Sequence, residues 1–304
     1  MSHNNIRESY KNGKDFEFNS LRTLKDLANQ HNKNISWIVK HYEAQTAQQD
    51  VKKLEKLMDD RIRIMEDSVT KGIEDPKRSL GGLIGGEGNK MTQYIEQNTP
   101  LMGSLGGLAL SRALAVSEVN ASMGKIVASP TAGACGILPG VLLTVSEHKN
   151  LSRKQLIDGF FTASGIGMVV AEKATVAGAE GGCQAECGVG GAMAAGAAVE
   201  LMGGSPEMVL NAVAISLKGV LGLVCDPVGG LVEVPCQKRN TMAVSQALAS
   251  ADMALADIKS VIPADEVIEA MYDIGKSLPP TLRETAEGGL AITPTGQKIK
   301  EKLD

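Results

Sequence analysis

Between residues 101 and 250 the chain is almost uncharged and rich in alanine and glycine, and this stretch limits its possible folds most. It carries only 19 charged residues in 150. The apolar segments are longer than typical strands, and the period-two alternation of a half-buried strand is scarce, LVEVP at residues 231–235 being the best example. We predict helices at residues 105–121, 136–146, 153–171, 190–202, 206–221, 240–257 and 263–276.

The residues available for a core point to closely packed helices. Only 3% of the residues are aromatic, whereas 34 are glycine. The core must therefore be built from alanine, valine, leucine, isoleucine and methionine, with glycine allowing neighbouring helices to approach closely. We predict an all-α fold, a compact multi-helix bundle of Gly/Ala-rich helices with cysteines on the turns between them.

The first 80 residues differ in character, because 28 of them are charged. One amphipathic helix is predicted there, and residues 20–49 favour one or two more. Its apolar stripe consists of Val51, Leu54, Met58, Met65 and Val69. We expect a charged helical region over 1–80 that packs on the core or on a partner. An all-helical catalytic domain over 81–304 should follow, opening with the glycine-rich loop GGLIGGEGNK at 81–90.

Charge and hydropathy exclude two classes of function. A net charge of −4 and the scarcity of aromatic rings argue against nucleic-acid binding, which needs basic patches or stacking surfaces. The longest uncharged apolar stretches, 101–111 and 187–199, are shorter than the roughly 20 residues that a membrane-spanning helix needs. The N-terminal sequence is polar and lacks the apolar segment of a secretory signal. We therefore expect a cytoplasmic protein.

Four of the five cysteines lie in the charge-poor half, each close to glycine or proline. They are Cys183, Cys187, Cys225 and Cys236, with Cys135 upstream. Their spacing does not fit the paired C-x2-C pattern of a zinc site. Turn cysteines that converge can hold an iron–sulfur cluster, whereas a free cysteine is often simply a small buried apolar residue. The residues alone leave both interpretations open.

Four motifs together resemble one enzyme family, the α chains of iron–sulfur-dependent L-serine dehydratases. The motifs are SPTAGACGILPG (129–140), GAEGGCQAECG (178–188), CDPVGGLVEVPCQKRN (225–240) and RETAEGGLA (283–291). The resemblance implies a [4Fe–4S] cluster held by Cys183, Cys225 and Cys236, with one iron left open. It also implies that L-serine is converted to pyruvate and ammonia, the open iron acting as a Lewis acid on the substrate hydroxyl.

The same motifs suggest further site residues. Ser129 and Thr131 offer hydroxyl groups in a loop that precedes a helix, where backbone N–H groups suit a substrate carboxylate, although a simple helix cap is the alternative. Lys125 could assist that carboxylate, or could only extend into solvent. The remaining candidates are Arg239 and Asn240 beside a cluster cysteine, where the arginine would neutralise the cluster or form an ordinary ion pair, and Glu186 and Asp226 as possible bases, chosen by position alone.

Cys187 and Cys135 are assigned less directly. Cys187 follows Cys183 by four residues, so both thiols should lie on one face of a helical turn. It could be a fourth ligand, but packing among small residues is favoured. Cys135 is expected to pack beside the substrate loop rather than to bind the cluster.

The resemblance also implies a partner. Single-chain members of the family carry an additional N-terminal domain that this chain lacks, so a separate β subunit is expected to complete the active site in a hetero-oligomer. Two alternatives remain open, a pyridoxal-phosphate-dependent lyase that uses the 81–90 loop for the phosphate and a non-catalytic scaffold subunit.

Overall fold

Thirteen α-helices, and no β-strand, make up the described part of the chain, residues 16–303 of the computed structural model. Residues 1–15, on which the expectation of no secretory signal mainly depends, and residue 304 lie outside it. The helices are α1 (Leu21–His31), α2 (Ile35–Thr46), α3 (Val51–Glu74), α4 (Glu87–Gln97), α5 (Gly103–Ala121), α6 (Ile137–His148), α7 (Arg153–Lys173), α8 (Gly178–Gly181), α9 (Val189–Leu201), α10 (Pro206–Lys218), α11 (Cys236–Leu255), α12 (Ala264–Ser277) and α13 (Pro294–Leu303).

The centre of the molecule is α9. Every residue from Val189 to Glu200 is buried, and the helix packs against α6, α7, α10 and α11. A helix that is apolar on all sides must be surrounded by protein, and small residues such as Gly196 and Ala197 leave space for four neighbours. The prediction of an all-α bundle with Gly/Ala-rich helices is confirmed.

The N-terminal helices join the same core. Leu21, Leu24, Ile35 and Ile62 from α1–α3 are fully buried within one hydrophobic cluster that continues into the rest of the chain. At Gly72 of α3, a Cβ atom would lie 2.4 Å from the carbonyl oxygen of Ala115 in α5. These two helices therefore touch backbone to backbone. The division into a region before residue 80 and a catalytic domain after it stays a prediction.

Most predicted helices lie where the pattern placed them. Ser152 and Ser205 cap α7 and α10 through their side chains, and Pro206 occupies the first turn. Two local patterns differ from the structure. LVEVP (231–235) forms no strand but bends and turns, and the helix expected from residue 240 begins at Cys236. That cysteine therefore starts a helix instead of lying on a turn.

No helix among residues 16–303 is long and apolar enough to cross a membrane. The glycine-rich loop at 81–90 ends earlier than predicted, since α4 already begins at Glu87.

Candidate functional site

Four cysteines from three separate segments gather at one end of α9. Cys183 directly precedes a single π-helical turn, Gln184–Gly188, which contains Cys187 and leads into α9. Cys225 lies in an extended segment after α10, and Cys236 is the first residue of α11. Single π-helical turns are frequent at functional sites because they redirect side chains within a helix.

Backbone hydrogen bonds hold these segments together. The N–H of Cys225 donates to the carbonyl of Leu282 at 2.9 Å, and the N–H of Glu284 donates to the carbonyl of Cys225 at 2.8 Å. Gln184 joins the first two cysteine segments, because its N–H donates to Leu223 at 3.1 Å and its side-chain oxygen accepts from Gly222 at 2.9 Å. Main-chain hydrogen bonds and the side chain of Gln184 thus hold the segments of Cys183 and Cys225 together.

The thiols influence one another electrostatically. The pKa of Cys183 is lowered, because its sulfur accepts a hydrogen bond from Cys187 against the opposing effect of burial, and because Arg239 is near. The pKa of Cys187 is raised well above the usual range by its role as donor to Cys183 and by burial. Burial and the negative charge of Cys183 raise the pKa of Cys225, and raise that of Cys236 to about 12. Cys183 therefore loses its proton more easily than the other three cysteines. Several thiolates together would need a positive centre between them.

Arg239 brings a positive charge to this point. Its guanidinium forms an ion pair with Asp226 at 2.8 Å, donates to the carbonyl of Val224 at 2.7 Å and hydrogen-bonds to Cys183. Burial opposes its charge, but Cys183 and Asp226 outweigh that effect and its pKa is raised. Asp226 is itself buried, and it accepts the N–H of Leu290 at 2.8 Å. Its Oδ2 thus accepts a main-chain hydrogen bond, whereas its buried Oδ1 has only the ion pair with Arg239 and no hydrogen bond of good geometry within residues 16–303.

Asn240 connects the cysteines to the SPTAGACG loop. Its side-chain oxygen accepts the N–H of Gly136 at 3.0 Å, and its Nδ2 donates to the carbonyls of Gly133 and Cys236 at 2.6 and 3.0 Å. Nδ2 also lies 3.8 Å from the sulfur of Cys187. One amide side chain thus fixes the loop against the start of α11.

A carboxylate from the π-helical turn faces the same region. Glu186 accepts a hydrogen bond from the Thr131 hydroxyl at 2.8 Å. One carboxylate oxygen each from Glu186 and Glu284 and the sulfur of Cys225 lie within 4.8 Å of one another. Burial raises the pKa of Glu186, with a smaller opposing effect from Thr131. Glu284 was not among the residues predicted from the sequence, although it lies in the motif RETAEGGLA, which could have pointed to it.

Two candidate residues lie apart from this cluster. Lys125 is exposed on the loop after α5. Ser129 is buried, and its hydroxyl has no hydrogen-bond partner within residues 16–303. Ser129 lines an apolar cleft of about 490 Å³ between α3 and α7, together with Met58, Met65 and Phe160. Cys135 is also buried, and its pKa is raised to about 12 by burial alone.

A second cavity is lined by Cys187 and by residues of α11. It has a volume of about 540 Å³, and Cys187, Leu223, Arg239 and Met242 are among its lining residues. A space of this size accommodates a small molecule, and it brings solvent-accessible volume next to Arg239.

Comparisons with known proteins identify relatives for almost the whole chain. Residues 30–291 match the family model described as "Serine dehydratase alpha chain". A protein of Bacillus subtilis named "Probable L-serine dehydratase, alpha chain" is 48% identical over 94% of this chain and 95% of its own length. The "L-serine dehydratase, alpha chain" of Peptoniphilus asaccharolyticus is 43% identical over 93% and 97%. A protein of Helicobacter pylori named "L-serine dehydratase" is 35% identical over 91% of this chain but only 62% of its own length.

Proposed function

The chain belongs to the serine dehydratase alpha chain family, and from that premise we propose that it is the α subunit of an iron–sulfur L-serine dehydratase. The observation that carries the proposal is that Cys183, Cys225 and Cys236, from three separate segments, lie close enough to influence one another's charge beside Arg239. The product would be pyruvate with release of ammonia.

The donor set fits a [4Fe–4S] cluster with three cysteine ligands. Thiolates are the usual protein ligands of such clusters, and binding to iron deprotonates thiols whose pKa is otherwise high. Cys187 fits a different role, because its thiol donates to Cys183 and lies 4.0 Å from the carbonyl of Gly133. These contacts with the protein support a packed thiol instead of a fourth ligand.

When bound, the cluster supplies an open iron that acts as a Lewis acid on the substrate hydroxyl. The residues of this chain then hold the ligands and the substrate in position and offset the negative charge. Arg239 offsets the negative charge of the thiolates, and Asp226 holds Arg239 in place. Asn240 keeps the loop at 131–136 against the cysteines. The N–H groups of Ala134, Cys135 and Gly136 already donate within the protein, so the carboxylate of serine would be received by the N–H groups at the start of the loop, residues 131–133.

Glu186 is the carboxylate best placed to exchange a proton with the substrate. Thr131 orients it, and it lies next to Cys225. Loss of the α-proton and of the β-hydroxyl as water turns serine into 2-aminoacrylate. That product tautomerises and hydrolyses to pyruvate and ammonia, so every atom of the serine is accounted for.

A second polypeptide is part of the proposal. The Helicobacter pylori relative is a longer protein of which this chain covers 62%, and the names of the first two relatives specify an alpha chain. A separate β subunit that corresponds to the additional length would complete the active site.

The pyridoxal-phosphate alternative loses its main support in the loop at 81–90. That loop would need free N–H groups for a phosphate, but Gly81 and Leu83 donate to Glu233, and Gly86 and Gly88 donate to Glu118. Carboxylates of the protein occupy the positions that a phosphate would need.

Metal analysis of anaerobically prepared protein tests the proposal. We expect iron and acid-labile sulfide in equal amounts, and serine-dependent pyruvate formation when a β chain is added. Separate Cys→Ser substitutions at Cys183, Cys225 and Cys236 should each remove the cluster and the activity, whereas Cys135→Ser should retain both.

Four outcomes would contradict the proposal or part of it. Bound pyridoxal phosphate without iron would show that the cofactor is not an iron–sulfur cluster. Full activity of the α chain alone would show that no β subunit is needed. Loss of the cluster in Cys187→Ser as well would overturn the three-ligand assignment. A scaffold subunit would lack iron in every variant.

A further inference from the structure

We infer that the glycine-rich segment 79–88 is a positioning element for Cys236, acting through Glu233 and Gln237 on either side of that cysteine. The inference deepens the proposed function, since it concerns the third proposed cluster ligand. It assigns a role to a segment that the cluster and the substrate loop leave unexplained.

The first connection is Glu233, three residues before Cys236. Its carboxylate is 2% exposed. It accepts hydrogen bonds from the Ser79 hydroxyl at 2.5 Å, from the N–H of Gly81 at 2.6 Å and from the N–H of Leu83 at 3.2 Å. A buried carboxylate with three donors holds its own backbone firmly, because moving it would leave charge and donors unpaired.

Close approach at Gly81 makes this connection specific. A Cβ atom on Gly81 would lie 3.0 Å from one carboxylate oxygen of Glu233 and 2.5 Å from the side chain of Leu231. A larger residue at this position would therefore require the side chains of Leu231 and Glu233 to shift.

The second connection is Gln237, the residue after Cys236. Its side chain is buried and donates to Glu118 at 2.9 Å. Glu118 in turn accepts the N–H groups of Gly86, Glu87 and Gly88 at 2.9, 2.7 and 3.0 Å, at the beginning of α4. Lys238 adds an exposed ion pair with Glu87 at 3.6 Å.

Cys236 needs such support more than the other proposed ligands. Next to Cys183, Gln184 is hydrogen-bonded to Leu223 and Gly222. Cys225 has backbone hydrogen bonds to Leu282 and Glu284. Cys236 follows an irregular segment and is the one partly exposed cysteine within the described residues, the other four being buried. The two connections to 79–88 fix the backbone on both sides of it.

Site-specific alkylation of the full-length, reduced chain without added iron tests this role. Iodoacetamide is added, and mass spectrometry measures the rate at each cysteine. We expect Glu233→Ala to raise the alkylation rate of Cys236 about tenfold, since local opening exposes the thiol, while Cys135 and Cys183 keep their rates. Glu233→Gln retains one acceptor oxygen and should give a smaller increase.

Glu200→Ala is the matched control. Glu200 is another buried glutamate that accepts a main-chain N–H, from Ser36 at 3.3 Å, but it lies away from the cysteines. It should leave the rate of Cys236 unchanged. If Glu233→Ala does not fold, Gln237→Ala removes the second connection and should also accelerate Cys236 selectively.

Two results would overturn the inference. One is a Cys236 rate in the folded variants equal to that of the natural chain, and the other is an equal increase in Glu200→Ala, which would indicate general loosening. Because the measurement needs no cluster, a chain that fails to bind iron would refute the proposed function and leave this test intact.

Discussion

The N-terminal helices and the cysteine end treat buried charge in opposite ways. Around the first helices, the buried or half-buried charges of Lys40, Asp265 and Glu200 meet partners of opposite sign or backbone donors. Lys40 pairs with Glu55 at 2.9 Å and with Asp158 at 2.6 Å. The carboxylate of Asp265 accepts the first N–H groups of α1, and Glu200 accepts the N–H of Ser36 in α2. These interactions join helices and are complete within the protein.

At the cysteine end, groups that can carry negative charge gather around Arg239. Cys183, Glu186 and Glu284 all raise the pKa of Cys225 in addition to its burial. Such a collection of donors is unfavourable by itself and becomes favourable around a cationic centre. The comparison teaches that charges paired within the protein belong to the structural part of this fold. Its candidate site is instead recognised by several groups of negative charge crowded together.

The largest expected effect comes from removing the cation at the cysteine end. Arg239→Ala should reduce iron retention and serine turnover about 10- to 100-fold, because residues that support metal ligands typically have effects of this size. Iron content and pyruvate formation measure the change. Arg63→Ala, at an arginine paired with Asp59 in the N-terminal region, should leave both unchanged. Equal losses of iron and activity in the two variants would show that charge at the cysteine end has no special role.

A smaller loss, in stability alone, is expected at Lys40. Lys40→Ala leaves two half-buried carboxylates without their common cation and should lower the free energy of unfolding by about 2 kcal/mol. Lys154 pairs with the same Asp158 at 3.3 Å but is mostly exposed, so Lys154→Ala should cost less than about 0.5 kcal/mol. Urea unfolding measures both. Loss of bound iron in Lys40→Ala at a temperature where the chain stays folded would show that the regions are coupled.

The smallest effect concerns the pH dependence of stability. Burial raises the pKa of Glu200 in the folded chain. As pH rises from the ordinary glutamate value of about 4.3 through the raised value, the folded state retains a proton that the unfolded state has lost, and stability falls by at most about 1.4 kcal/mol per pH unit. Glu200→Gln removes this titration.

Melting temperatures of both chains between mildly acidic and mildly basic pH check the sign. The advantage of the natural chain over Glu200→Gln should shrink with rising pH. Glu207→Gln, at a mostly exposed glutamate paired with Lys25, controls for the loss of one carboxylate from the chain. Parallel curves for Glu200→Gln would mean that the carboxylate is not perturbed by burial.

Helices were predictable where the signal is local. The caps at Ser152 and Ser205, the spacing of apolar residues and the uncharged composition act within one or two turns. The motif cysteines could likewise be named from the sequence. Their convergence required the fold, because Cys183, Cys225 and Cys236 come from three separate segments.

The errors come from partners that are remote in the chain. LVEVP alternates like a strand, but Glu233 within it is a buried carboxylate bound to residues 79–83. Local alternation contains no information about that partner. Glu284 was missed for the same reason, since its proximity to Glu186 depends on backbone pairing between Cys225 and the segment after Leu282.

That pairing also sets an order of assembly during synthesis. Cys225 is held by main-chain groups of Leu282 and Glu284, which leave the ribosome only after the helices α11 and α12 have been made. Contacts between distant segments form late because closing a long loop costs entropy. The backbone around Cys225 is therefore completed only after residues 282–284 have been made, and a cofactor that needs Cys225 in this position can be held only from then on.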